Sequence, residues 1–170
     1  MRFEIHRTWE GHACGVDEVV VIDATLRDAW LEVWIDAPWH GDAPPEGPPG
    51  PRPALWNHEV VELFIVGRHD RYLELEFGPH GHHLALRLDG VRNVVESAMS
   101  LEYTARRAGS RWLGEARVPA AWLPEGPHTA NAYAIHGVGS ARRYLAHTPV
   151  PGPAPDYHRL AFFQPVNWAT

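Results

Sequence analysis

From Glu59 to His136 the chain is a succession of short runs of six to eight residues, each rich in apolar, aromatic or β-branched side chains. The runs are Glu59 to Val66, Tyr72 to Phe77, His83 to Leu88, Leu101 to Arg106, Trp112 to Val118 and Thr129 to His136. Between most of them lie tight turn signals: Gly67 to Asp70, Gly78 to Gly81, Asp89 with Gly90, and Ala108 to Ser110. Runs this short, with turns this tight, leave no room for helices, and no apolar stripe of helical period is present. Two earlier runs, Glu18 to Ala24 and Trp30 to Asp36, flank a gap holding Arg27 and Asp28 and read as a hairpin. In the second, period two sets Trp30, Glu32, Trp34 and Asp36 on one face and Leu31, Val33 and Ile35 on the other. The expectation is an all-β chain, a sandwich or a barrel. Only Pro119 to Leu123, with proline at a first-turn position, suits a single helical turn.

The hairpin is followed by Pro38 to Pro53, in which seven prolines and three glycines exclude both a helix interior and a central strand. Because strands of one pattern lie on both sides, this segment is expected to be an ordered loop across one end of a single domain spanning 1–170. The length suits one domain with a full core. A net charge of −6, with no basic cluster larger than Arg106–Arg107 or Arg142–Arg143, argues against nucleic acid as a partner. No apolar run approaches a membrane span and the first residues carry no apolar signal core, so the expected address is the cytoplasm. The one cysteine, Cys14, allows no internal disulfide and reads as a small buried hydrophobe.

The stretch LWNHEVVELF, Leu55 to Phe64, sets a carboxylate in the middle of an apolar strand, a costly arrangement unless the group is paired or serves a ligand. Alternation aligns Glu62 with Val60 and Phe64, aligns Tyr72, Glu74 and Glu76, and aligns Arg87 with His83 and Ala85. If the three strands are antiparallel neighbours, Glu62, Glu74 or Glu76, and Arg87 share one polar side. The plainer reading is a set of cross-strand ion pairs on a wetted face. Sugars are held by aromatic rings stacked on C–H faces and by planar polar groups, a combination that Trp56 and Glu62 supply. Around this pair, Trp39 and Tyr144 are further stacking candidates, Glu74, Glu76, Arg87 and Arg143 further polar ones, and His136 and Asp156 a second tier. These residues predict a loop-rimmed cleft for a small-molecule ligand, between the proline loop and the segment from Arg142 to His158.

Two other functional classes compete with that reading. One is an enzyme on a hydroxylated substrate using Glu62, Glu74 or Glu76 with His80 or His136 as acid and base. The other is a protein-interaction module using the proline loop or a bare sheet edge. GPHGHH, Gly78 to His83, gathers three imidazoles, but neighbours diverge on a strand and no zinc site is expected. Asp156 and His158 lie close in sequence without a nucleophile elbow, so no catalytic triad is assigned, and no cofactor is expected.

The order of a strand ending in Asp (LEVWID), a proline-bearing loop, W-x-x-x-x-x-E-x-F from Trp56 to Phe64, the EFGPHGHH turn and the terminal PDYHRLAFFQP resembles the family 9 carbohydrate-binding modules and the wider DOMON-like β-sandwiches. LWNHEVVELF, YLELEFGPHGHHL, AYAIHG and PDYHRLAFFQP resemble more closely an uncharacterised family of this fold with bacterial and vertebrate members. The resemblance implies a jelly-roll-like sandwich in which aromatic residues clamp a sugar while a strand Glu and an Arg hydrogen-bond it. Trp56 and Glu62 match that pattern, Arg87 matches it approximately, and Tyr144 stands near the second clamp position. A haem-binding variant of the wider fold uses Met and His ligands, and with only Met1 and Met99 present haem is not expected.

Overall fold

A computed structural model describes residues 1–168. In chain order its strands are β1 (Arg2–Ile5), β2 (Arg7–Thr8), β3 (Val20–Arg27), β4 (Trp30–Pro38), β5 (Gly50–Pro51), β6 (Val60–Val66), β7 (Arg71–Phe77), β8 (His82–Asp89), β9 (Val94–Glu96), β10 (Glu102–Ala108), β11 (Arg111–Pro119), β12 (His128–His136), β13 (Arg143–Ala146) and β14 (Gln164–Val166). They form two sheets. One has five strands in the order β1-β3-β4-β11-β10; the other runs β2-β13-β12-β6-β7-β8-β5, with β14 beside β12 and β9 beside β8. All pairings are antiparallel except the two-residue contact of β5 with β8. The fold is an all-β sandwich.

The alternation in β4 explains the five-stranded sheet. Leu31, Val33 and Ile35 are buried in the interlayer core, while Trp34 on the other face is exposed and Arg117 stacks its guanidinium over Trp30 at 4.4 Å. The larger sheet is different because both its faces are covered. Val61, Leu63, Ile65, Leu73, Leu75 and Phe77 point into the interlayer core. Val60, Phe64, Tyr72, Leu84, Leu86, Tyr133 and Ile135 point the other way, under Val150, Tyr157 and Phe163 from the C-terminal segment. Every residue of β6 is therefore buried, which accounts for its nearly unbroken apolar sequence.

The proline loop is held by specific bonds. Gly50 donates its N–H to Gly81 O at 3.1 Å and Arg52 to His83 O at 2.7 Å. Glu59 reaches back across the loop and accepts from the backbone N–H groups of His40, Gly41 and Asp42 at 3.1–3.2 Å. Leu160–Phe162 forms a 3-10 turn, closed by Phe162 N–H to Arg159 O and Phe163 N–H to Leu160 O. Phe163 turns into the outer apolar layer, and β14 begins directly after it, beside β12.

Candidate functional site

The outer face of the larger sheet carries a cavity of about 400 Å³. Its floor is the sheet itself: Glu62 and Phe64 of β6, Glu74 of β7, Leu86 and Leu88 of β8, and Ile135 of β12. Its walls are Trp56 from the turn before β6, Arg92 and Val94 beyond β8, Tyr144 of β13, and Pro155 to His158. Register explains the acidic floor. Glu62 stands directly opposite Glu76, and Phe64 opposite Glu74, so period two brings three carboxyl groups onto one covered face.

These carboxyl groups are buried without adequate partners. Glu62, Glu74 and Glu76 are 2%, 4% and 0% exposed. Oε1 of Glu62 and Oε2 of Glu74 make no hydrogen bond among the described residues. Burial first, then the charge of Glu74, raises Glu62 well above the usual carboxylate range, with Arg142 pulling weakly the other way. Burial likewise raises Glu74 to about 7. Glu76 is driven well up by burial and by its two acidic neighbours, against the pull of the Trp56 backbone N–H. Three carboxylates this close cannot all ionise, and near neutral pH the cluster retains protons.

The wall opposite the floor is polar and internally paired. Arg92 donates to Asp156 Oδ1 at 2.9 Å, and the His158 N–H donates to the same oxygen at 3.0 Å. Burial pushes Asp156 up, but the His158 amide and Arg92 outweigh it and hold the carboxylate low. Tyr72 lies 2.7 Å from His158 Nδ1 and accepts the Arg92 backbone N–H at 3.0 Å. Burial takes the phenol up to about 12, while burial and Arg92 take the imidazole down to about 4. A neutral phenol and a neutral imidazole therefore share this hydrogen bond. Arg92 sits at φ 59, a left-handed conformation uncommon for a side-chain-bearing residue, fixed by that backbone bond to Tyr72.

Aromatic side chains complete the site. Trp56 is 44% exposed at the mouth. Tyr157 stacks on Tyr133 at 3.8 Å and meets Tyr144 edge-on at 6.4 Å. Arg142 fastens the rim: it donates to the carbonyls of Trp56, Asn57 and Gly137 and lies over the Tyr144 ring at 5.7 Å.

Five of the sequence candidates, Trp56, Glu62, Glu74, Tyr144 and Asp156, thus line one cavity, and Glu76 stands behind Glu62. Four lie elsewhere. Arg87 pairs with Leu73 in the β7–β8 register and so faces the side opposite Glu74; it reaches Glu96 at 3.0 Å in an exposed ion pair. Trp39 packs against the interlayer core, edge-on to His80 at 4.9 Å and under Arg107. His136 and Arg143 gather at a different corner around Glu18, which accepts two bonds from Arg143 and lies 3.4 Å from His136. His136 also stacks on His40 at 3.5 Å, so neither His80 nor His136 reaches the carboxyl cluster. Sequence reasoning missed Arg92, Tyr157 and His158. Arg92 follows a two-residue turn signal and has no periodicity to mark it; Asp156 and His158 are two residues apart, and only the fold shows that Asp156 bonds Arg92 directly and that His158 is tied to it through Tyr72. Among the described residues no three His, Cys, Asp or Glu side chains converge as a metal site, and no helix is long and apolar enough to cross a membrane.

The class of protein is set by the fold. A Bacteroides uniformis protein of proposed carbohydrate-binding function superposes with a TM-score of 0.75 at 14% identity, over 97% of this chain and 84% of that one. A family 9 carbohydrate-binding module from Caldicellulosiruptor kristjanssonii, in complex with cellotriose, superposes with a TM-score of 0.50 at 13% identity, over 95% of this chain and 77% of that one. At such identities what is shared is the sandwich. No protein-family model matches the chain. The mouse UPF0462 protein C4orf33 homolog is 39% identical over 179 residues, covering 100% of this chain and 93% of the mouse protein. The chain belongs to the UPF0462 family.

Proposed function

We propose that the cavity on the outer face of the larger sheet is a non-catalytic binding site for a small carbohydrate or polyol-like ligand, carried on a single DOMON-like domain. One observation carries this reading: a half-exposed indole, Trp56, stands over a floor on which Glu62 and Glu74 each keep a buried oxygen without a partner. Natural folds rarely leave such atoms unsatisfied unless a ligand or water completes them. The volume suits a small ligand, and apolar surfaces with a few convergent polar groups are the usual make-up of such sites. The family 9 module with its cellotriose supports the same class of ligand by analogy of fold. A calorimetric and NMR-shift screen of mono- and disaccharides tests it. Binding by wild type that is lost in Trp56→Ala is expected; no binding, or binding indifferent to Trp56→Ala, rejects the proposal.

A second reading has one observation in its favour. Glu74, raised to about 7 inside a cavity beside neutral His158, has the poise of a general acid. Turnover of aryl glycosides that disappears in Glu74→Gln while sugar affinity is kept would favour the enzyme over the binding module.

A further inference from the structure

The two sides of the cavity are electrically unlike. On the C-terminal wall every charge has its partner: Arg92 is bonded to Asp156, and Asp156 also takes the His158 amide. On the floor, Glu62 and Glu74 each present a buried acceptor with no hydrogen-bond partner, Arg92 and Arg142 acting on them only through space, and the surfaces beside them are the aromatic rings of Trp56, Phe64, Tyr144 and Tyr157. Arg142, the other nearby cation, gives its donors to three backbone carbonyls at the rim. Acceptors and π faces without an opposing donor call for a group that brings hydrogens and positive charge together. An ammonium has three donors and no acceptor, and it is attracted to aromatic faces, whereas a hydroxyl brings one donor and no charge.

Resting on the reading of this cavity as the ligand site, we infer that its ligand carries a protonated amine seated on Glu62 and Glu74, with its hydroxyl groups toward Arg92, Asp156 and His158: a small hydroxylated amine of the amino-sugar class. The cation would do for the floor what retained protons do in the empty protein, so binding displaces protons from the carboxyl cluster. The titratable groups facing the cluster are Glu76 and Tyr72 of β7, Tyr133 of β12, Tyr144 of β13, and Asp156, Tyr157 and His158 of the C-terminal segment, with Asp156 held ionised and Arg92 and Arg142 as fixed charges. Burial raises Tyr72, Tyr133 and Tyr157, so these three phenols stay neutral. Burial also keeps His158 neutral near pH 6, so the carboxyl groups are the source of the released proton.

The test is calorimetric titration of the whole chain, near pH 6, with glucose, N-acetylglucosamine, glucosamine and ethanolamine, in two buffers of different ionisation enthalpy. Glucosamine is expected to bind about tenfold or more tightly than glucose or N-acetylglucosamine, which lacks the charge, with net proton release. Glu62→Gln should erase that preference while leaving the circular dichroism unchanged. Glucose binding as tightly as glucosamine overturns the amine inference and leaves the sugar reading standing. Ethanolamine and glucosamine binding without glucose supports the amine inference and removes the sugar reading. Glu74→Gln provides a second variant if Glu62→Gln does not fold. No binding by any of the four overturns both.

Discussion

Glu59 and Glu62 lie three residues apart at the start of one strand, both are almost fully buried, and they are buried in opposite ways. The Glu59 carboxylate closes three backbone N–H groups of the proline loop. Glu62 enters a cavity with an oxygen unpaired and two more carboxyl groups beside it. Burial raises both, but at Glu59 the N–H groups of His40 and Asp42 counter it, whereas at Glu62 the next contribution is another acid. An acid buried to organise backbone contributes to stability; an acid buried beside its own kind costs stability and is explained by what it could bind.

The largest way to sharpen this contrast is Glu59→Ala. It leaves three backbone donors at the loop base without their acceptor, and a loss of about 3 kcal/mol or more is expected from urea denaturation. Ligand affinity should follow only through the loop.

The acidic cluster should respond in the other direction. Glu74 is raised from 4.5 to about 7, so the folded state holds a proton that the unfolded state has released between those values. Its contribution is favourable below about pH 4.5 and is lost as pH rises toward 7, by about 3 kcal/mol for a shift of that size. His136 and His158, lowered from 6.5 to about 4 by burial, act with the opposite sign: the unfolded chain takes up protons first, and stability is lost as pH falls from 6.5 toward 4. Thermal melts should therefore show a broad maximum on the acid side of neutrality. Above pH 7, Glu74→Gln should be more stable than wild type by about 2 kcal/mol, and equal stability of the two proteins would mean that the cluster is not under charge pressure.

Trp56→Ala comes next. The ring is half exposed at the cavity mouth, so the expected loss of folding stability is below about 1 kcal/mol. The expected loss of sugar affinity is about tenfold, read by calorimetry. A stability loss much above that would make the indole a packing element like Trp39.

How much of this could be read from the chain depended on periodicity. The long strands, β6 to β8 and β10 to β12 with the hairpin of β3 and β4, were legible because most of their turns are marked by glycine and aspartate, and Asp28 indeed sits at φ 49 in the turn between β3 and β4. The alignment of Glu62 and Glu74 followed from period two and antiparallel neighbours. What period two cannot tell is which face of a sheet an outer layer covers. β6 reads the same whether its second face meets water or the C-terminal segment, and so the carboxyl groups could be aligned before they could be known to be buried. Arg87 shows the related limit. Its phase against β7 depends on register across the Gly78 to Gly81 turn, and pairing with Leu73 instead of Glu74 puts it on the other side. Short strands such as β1, β9 and β13 are too brief to announce themselves, and Arg92 depends on a turn for its place.

The smallest effect separates two arginines that sequence could not tell apart. Arg87 and Arg92 are both partly exposed and both pair with a carboxylate, Glu96 and Asp156. Surface pairs of this kind contribute about 0.5 kcal/mol, so neither alanine variant should move the urea midpoint far. Only Arg92 lines the cavity and holds Asp156 in place, through a backbone conformation that Tyr72 fixes from below. Arg92→Ala should therefore weaken ligand binding severalfold and release Asp156 toward its ordinary carboxylate range in an NMR titration, while Arg87→Ala leaves both unchanged. Equal effects of the two substitutions on affinity would show that the long-range charge of the rim matters and that the Arg92–Asp156 wall does not.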